Sequence, residues 1–373
     1  MKILTIANSP LVETQGAGYV VCNFARGLRS RGHEVVCRGP EQNIILPRLK
    51  KAKIWRQALG MYFLNATLIR RYQPDLIEFY GGEAWFAASL LARDRQRPYV
   101  LVQHSNGIEP RVLDVYRQQG LHRSLDGRPT KWYQRILRPP VRRAFTKVDA
   151  IVTVSEVEAR YARNMGYQPA DRILALENAL PDSFLGQPCR PEREKIIGYC
   201  GSWLYNKGTA VMTGALPAVL RHHRDWTFQI IGAGAAFDAA RWFPADVLPQ
   251  ISTISRIESK RELQAAYARW SVALLPSIYE SFGLAPAEAM ASGAALVAAE
   301  VGLAADLQNG VEAMIVPVNA PGALAEMIVT LIKNDALRAA VAMAGHARVQ
   351  SLRWDDNITK LNEFYGRLVT GKK

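Results

Sequence analysis

Glu280 and Glu288 stand eight positions apart in the stretch Pro276-Ser277-Ile278-Tyr279-Glu280-Ser281-Phe282-Gly283-Leu284-Ala285-Pro286-Ala287-Glu288-Ala289-Met290-Ala291-Ser292-Gly293. The apolar run Val272-Ala273-Leu274-Leu275 leads into it as a buried strand, Gly283 lies in the loop, and a helical stretch follows. A loop-to-helix junction presents free backbone N–H groups and a positive dipole end, which suits phosphate. A carboxylate accepts hydrogen bonds from two adjacent hydroxyls. Acids on both sides of the corner therefore suit a sugar and a ribose at the two ends of a diphosphate. The plain alternative is a pair of solvated glutamates near a helix start, where the dipole favours them.

Other chemistry-bearing residues sit at strand ends. The loop Gly201-Ser202-Trp203-Leu204-Tyr205-Asn206-Lys207-Gly208 follows the strand candidate 195–200 and precedes a helix. His104 ends the run Tyr99-Val100-Leu101-Val102-Gln103-His104, where α/β enzymes place reactive groups. Gly16-Ala17-Gly18 precedes a helical stretch, and glycines there let backbone approach a ligand closely. Cys22, Cys37, Cys189 and Cys200 are scattered, with no histidines at zinc spacing, and read as reduced residues of a cytoplasmic protein.

The elements that must position these residues alternate strand and helix. Strand candidates fall at 2–7, 34–38, 75–79, 99–103 and 150–154, then at 195–200, 227–232, 252–254, 272–275, 295–298 and 313–316. Helical stretches include 18–31, 54–72, 85–94, 261–269, 285–292 and 321–333. This alternation predicts βαβ units, parallel sheets and an α/β fold. The series restarts after residues 181–194, which carry three prolines and little periodicity. Two doubly wound domains, 1–185 and 186–353, are the expected organisation.

The string from Pro276 to Gly293 resembles the signature of the retaining GT-B glycosyltransferases of family 4, in which seven residues separate two glutamates. The usual proline beyond it is Ala295 here. The resemblance extends from the glycine loop at 16 to about 318. It implies a GT-B fold: two Rossmann-like domains with parallel sheets facing across a cleft, the helix near 354–373 crossing back to the first. By the resemblance Glu280 contacts the transferred sugar, Glu288 holds the ribose hydroxyls, and Ser281, Phe282, Gly283 and Leu284 line the sugar and diphosphate. The 201–208 loop is similar to the family's "GRLxxxKG" loop. Lys207 then clamps the diphosphate, Ser202 replaces the usual arginine, and Arg256 is the candidate for the missing charge. Gly16 and Gly18 resemble the family's opening glycine loop, which touches the donor from across the cleft. His104 falls where the family often has a histidine, and a role in holding the donor sugar or the acceptor is expected. The reaction implied is glycosyl transfer from a nucleotide-diphosphate sugar with retention at the anomeric carbon, with no metal or other cofactor.

Charge speaks to the acceptor. Residues 1–185 hold 28 Lys/Arg against 16 Asp/Glu, and residues 186–373 hold 19 against 17. An excess of base confined to one half predicts an anionic partner for that half. Two stretches interleave base with apolar side chains: 117–147, with Trp132 and Tyr133 and the single acid Asp126, and Lys50 to Arg71, with Trp55, Met61, Tyr62 and Phe63. Such segments suit an anionic membrane surface. No nucleic-acid-binding pattern is evident. The expected partners are the sugar donor, a glycan or glycolipid acceptor and the inner face of a membrane. A small soluble acceptor, or donor binding without catalysis, are the alternatives.

Overall fold

The computed structural model describes residues 1–13, 16–120, 135–190 and 192–372. Trp132, Tyr133 and Asp126 lie outside the described residues. The chain divides into two compact units, one of Met1–Asn178 with Trp354–Lys373, the other of Ala179–Arg353.

Unit 1 is built on β1 (Lys2–Ala7), β2 (Glu34–Arg38), β3 (Leu76–Tyr80), β4 (Val100–Ser105), β5 (Ala150–Thr153) and β6 (Ile173–Ala175), in the order β2-β1-β3-β4-β5-β6. Unit 2 is built on β7 (Glu194–Cys200), β8 (Thr227–Ile231), β9 (Ile251–Ile254), β10 (Trp270–Leu275), β11 (Ala295–Ala299) and β12 (Met314–Val316), in the order β12-β11-β10-β7-β8-β9. Every pairing is parallel. The central strands β3, β4, β10 and β11 are buried along their whole length, as expected of a parallel sheet covered on both faces. The winding reverses between β1 and β3 in unit 1 and between β7 and β10 in unit 2. Open α/β sheets bind ligands beyond the strand carboxyl ends at such reversals.

The contact boundary at 178/179 falls ahead of the 185/186 division read from composition. Residues 179–185 pack with unit 2: Leu180 N–H donates to Leu352 O at 2.9 Å, and buried Phe184 lies 6.1 Å from Tyr267 between ring centroids. Contacts change sides ahead of most of the proline-rich stretch. The expected helix 54–72 is two helices, Lys53–Phe63 and Ala66–Tyr72. Asn65 separates them, its buried side-chain amide donating to Asn43 Oδ1 and to Met61 O. The short strand β6 was not anticipated.

The helix Trp354–Thr370 docks on unit 1. Trp354 Nε1–H donates to Tyr19 OH at 2.8 Å and packs edge-on against Phe24, and Arg31 pairs with Asp355. A Cβ on Gly27 would lie 2.3 Å from Ile358 Cγ1, so glycine permits this approach.

Candidate functional site

In unit 2 the loops after β7 and β10 are locked together at the winding reversal. Ile278 N–H donates to Asn206 O at 2.8 Å. Gly208 adopts φ +77°, and a Cβ there would stand 2.0 Å from Pro276 O. A glycine is required both for the backbone conformation and for the space. This clamp sets Lys207 Nζ 2.6 Å from Glu280 Oε1, while Ser277 Oγ–H, fully buried, donates to the same oxygen at 2.9 Å.

Gly283, at φ +99°, turns the chain into the helix Leu284–Ala291. Among the described residues the N–H groups of Phe282, Gly283 and Leu284 have no backbone acceptor, the situation of a helix start awaiting an anion. The corner is braced from a segment that sequence reading passed over. Leu303 N–H donates to Phe282 O at 2.6 Å, and Gly302, at φ +56°, leaves room where a Cβ would meet Phe282 O at 2.3 Å. Phe282 itself is buried, so its side chain serves packing.

Glu288 is buried one turn into the helix, with Oε1 accepting from Lys260 Nζ at 2.6 Å and Oε2 from Tyr267 OH at 3.4 Å. Burial pushes its carboxyl above the ordinary range, against the opposing pull of Lys260 and Tyr267. Lys260 and Tyr267 were not singled out in the sequence, because a lysine at a helix start and a tyrosine before a strand carry no spacing signal. Glu280, Lys207 and Ser277 thus form one group and Glu288, Lys260 and Tyr267 another, on the two sides of the amide-rich corner.

The remaining expected donor residues are placed differently. Ser202 is exposed, its carbonyl accepting from Tyr199 OH at 2.9 Å. Arg256 is exposed and ion-paired with Glu258 at 2.6 Å, so its charge is engaged within its own loop. Gly16 and Gly18 belong to unit 1. Gly16 is exposed at the first turn of Gly16–Ser30, with open space where a Cβ would go. Gly18 is buried, and a Cβ there would meet Pro10 O at 2.2 Å, which ties it to packing of the preceding loop.

His104, expected to hold the donor sugar or the acceptor, is buried at the end of β4. Its ring stacks on Tyr80 at 4.4 Å, and Nε2 lies 2.5 Å from Tyr365 OH on the docked helix. Tyr365 OH in turn donates to Glu78, which also accepts from Thr5 Oγ1 at 2.7 Å. The Tyr365 hydroxyl thus bridges His104 Nε2 and Glu78. Desolvation lowers the imidazole to about 3, so it is neutral at physiological pH. His104 holds the interior of unit 1 together in this arrangement.

At the reversal between β1 and β3, unit 1 carries a group that sequence reading missed. Asn8 Nδ2–H donates to Glu83 Oε2 at 2.8 Å, and Gly82 N–H donates to Glu109 Oε1 at 2.8 Å. Glu109 Oε2 is buried without a hydrogen-bond partner among the described residues. Burial first, and then the neighbouring charge of Glu83, raise Glu109 to about 7. In the sequence Glu109 precedes Pro110 at a helix start, which reads as an ordinary acid favoured by the dipole. Among the described residues no group of three or more His, Cys, Asp or Glu could hold a metal ion, and no helix is long and apolar enough to cross a membrane.

Residues 194–334 match the family model described as Glycosyl transferases group 1, and residues 14–182 match Glycosyltransferase Family 4. The chain is 26% identical over 242 residues to a phosphatidyl-myo-inositol mannosyltransferase of Mycobacterium tuberculosis, covering 62% of each protein, less than two thirds of that relative's length. It is 25% identical over 317 residues to the lipopolysaccharide core biosynthesis mannosyltransferase LpcC of Rhizobium leguminosarum, covering 83% of this chain and 80% of that one. Its fold is similar to that of Anabaena HepE in complex with UDP and glucose, with a TM-score of 0.69 and 18% identity, over 98% of this chain and 100% of the other. Two family models in register with two six-stranded parallel α/β units place the chain in a family: it belongs to the GT-B glycosyltransferases of the family 4 type.

Proposed function

We propose that the protein transfers a sugar, with retention, from a nucleotide-diphosphate sugar to a glycan or glycolipid acceptor at the inner face of a membrane. The observation that carries this reading is the Lys207–Glu280 pair beside the open amides of Phe282, Gly283 and Leu284 at the β7/β10 reversal. Lys207 and the amides bind the diphosphate and stabilise the charge that grows on it as the bond from the anomeric carbon breaks. Glu280, steadied by Ser277, orients the sugar hydroxyls, and Glu288 takes the ribose diol. The acceptor oxygen bonds to the anomeric carbon on the face that the diphosphate leaves, and its proton passes to the departing diphosphate oxygen. On the acceptor side Asn8, Glu83 and Glu109 offer hydroxyl-binding groups at the β1/β3 reversal. The relatives named for phosphatidyl-inositol and lipopolysaccharide substrates support a lipid-linked or surface-glycan acceptor. HepE with UDP and glucose supports a nucleotide-sugar donor. The chain's own chemistry asks for no metal, since Lys207 and helix amides neutralise the leaving group.

One observation favours a second reading, in which the protein binds the donor without turning it over. Ser202 leaves the diphosphate one lysine where the family's loop has two cations. Thermal shift against UDP-, GDP-, ADP- and TDP-sugars identifies the donor, and transfer to lipid-linked and soluble acceptors follows. Donor binding without hydrolysis or transfer selects the second reading. Glu280→Ala is expected to abolish transfer, and unchanged turnover and donor affinity in that variant overturn the site.

A further inference from the structure

We propose that residues 45–64 of unit 1 form a preorganised membrane-docking face whose partner is an anionic phospholipid surface. The inference deepens the acceptor side of the transferase reading, but its physical basis is independent of transfer.

Leu46, Leu49, Trp55, Phe63 and Leu64 are exposed, Leu46 by 65% and Phe63 by 58%. Isolated exposed apolar residues are ordinary, whereas a group concentrated in one short segment marks an interaction surface. The segment is held in its exposed form. Leu46 and Ala52 both adopt left-handed backbone, at φ 48° and 55°, a conformation that side chains with a Cβ rarely take. The buried guanidinium of Arg56 pins the loop between them, donating to Lys51 O at 2.9 Å, Ile45 O at 3.3 Å and Leu46 O at 2.7 Å. Leu49 N–H closes the turn onto Leu46 O at 3.0 Å. A buried arginine committed to loop carbonyls fixes the leucines before any partner arrives, and a surface ordered in advance loses little entropy on docking.

The exposed aromatics are linked through Trp85 and Phe86 into a chain of ring contacts. Trp55 meets Trp85 at 5.5 Å, Trp85 meets Phe86 at 5.5 Å, and Phe86 meets Phe63 at 5.9 Å. This chain of rings links the two ends of the helix Lys53–Phe63, about 16 Å long at 1.5 Å per residue. Around the apolar tips Arg48, Lys50, Lys51 and Lys53 are all exposed, and the sequence holds no acid between Glu41 and Asp75. Apolar tips ringed by uncompensated base match an anionic lipid surface, into which side chains insert while cations meet headgroups. A second copy of this chain would bring the same cations against them. The helix is also tied to the ligand-binding edge of the sheet, since Gln57 Nε2–H donates to Asn8 O at 3.2 Å just beyond β1. Docking here would hold the mouth of unit 1 near the lipid headgroups.

The test is co-sedimentation of the full chain with phosphatidylcholine vesicles, with and without phosphatidylglycerol, at low and high salt. Wild type is expected to bind the anionic vesicles and to bind less as salt rises. Lys50→Gln/Lys51→Gln/Lys53→Gln is expected to bind about a hundredfold more weakly, at about fivefold per lysine. Leu46→Ser/Leu49→Ser/Phe63→Ser is expected to lose about tenfold or more at both salt concentrations. Both variants alter exposed side chains, and an unchanged melting temperature with an unchanged donor-induced shift verifies their fold. No binding of wild type to anionic vesicles at low salt overturns the proposal, as does wild-type binding by both variants. Self-association that the apolar variant abolishes, without vesicle binding, assigns the face to a second copy and also overturns it. Failure of transfer to every acceptor, with vesicle binding intact, counts against the transferase reading and leaves the docking face standing.

Discussion

Removing the Lys207 ammonium tests the donor corner most directly. In the free protein Lys207 Nζ lies 2.6 Å from Glu280 Oε1, and neither side chain is fully exposed, at 28% and 13%. In the proposed role, Lys207→Ala deletes a charge-assisted hydrogen bond to the diphosphate, a contact worth about 1.5–3 kcal/mol. That corresponds to about a 10- to 150-fold loss of nucleotide-diphosphate affinity. Compensation from neighbours is small, because Ser202 is uncharged and Arg256 is engaged with Glu258. The free protein loses its ion pair as well, but Ser277 still donates to Glu280, so a stability cost of about 1–3 kcal/mol is expected. Titration calorimetry with the nucleoside diphosphate measures the affinity, and melting temperature checks the fold. Lys207→Arg keeps the charge and should recover part of the loss, since a planar fork does not reproduce a point charge at the same place. If Lys207 acts on the leaving group, kcat/KM should fall further than affinity does, because the charge grows during bond cleavage. Binding by Lys207→Ala within about twofold of wild type, a difference of less than 0.5 kcal/mol, refutes the reasoning.

Two further expectations follow, one from each unit. Gly208→Ala places a Cβ 2.0 Å from Pro276 O in a left-handed backbone, whose strain alone costs about 1–2 kcal/mol, so a fall in melting temperature and a loss of donor binding should appear together; retention of both would show that the two loops are not clamped there. His104 is lowered from 6.5 to about 3 in the folded state, so its contribution is complete above pH 6.5 and is lost as pH falls through that window, at about 1.4 kcal/mol per unit. Glu78, raised by burial, works in the opposite sense and blunts the loss. His104→Gln should flatten the acid limb of a melting-temperature profile, and an identical limb in wild type and variant would place the titration elsewhere.

The strand-to-helix corner after β10 was legible as local structure because its parts are close in sequence. An apolar strand, a glycine and two glutamates within 276–293 imply their own junction, and the loop ending at Gly208 carries its lysine in the same way. What brings them together is not local: the Gly208 contact with Pro276 and the brace from Gly302 depend on strand order, which no spacing reveals. The surroundings of His104 were not legible either, since its partner Tyr365 lies 261 residues away in sequence. Glu109 was overlooked because its burial comes from packing around Gly82, while its sequence context is that of a surface acid. Alternation of strand and helix was read along most of the chain, the three-residue β12 included, and failed at β6 and at the Asn65 interruption.

The helix Trp354–Thr370 has a consequence for biogenesis. Unit 1 is interrupted in sequence by the whole of unit 2, yet it needs this helix to cover His104 and Glu78. During translation the sheet beginning at Lys2 emerges early but stays unsealed until the ribosome has passed Thr370. The intervening segment 179–353 has all its strands in hand sooner. The unit made first is therefore the one finished last, and its uncovered sheet is the surface a chaperone would meet on the nascent chain.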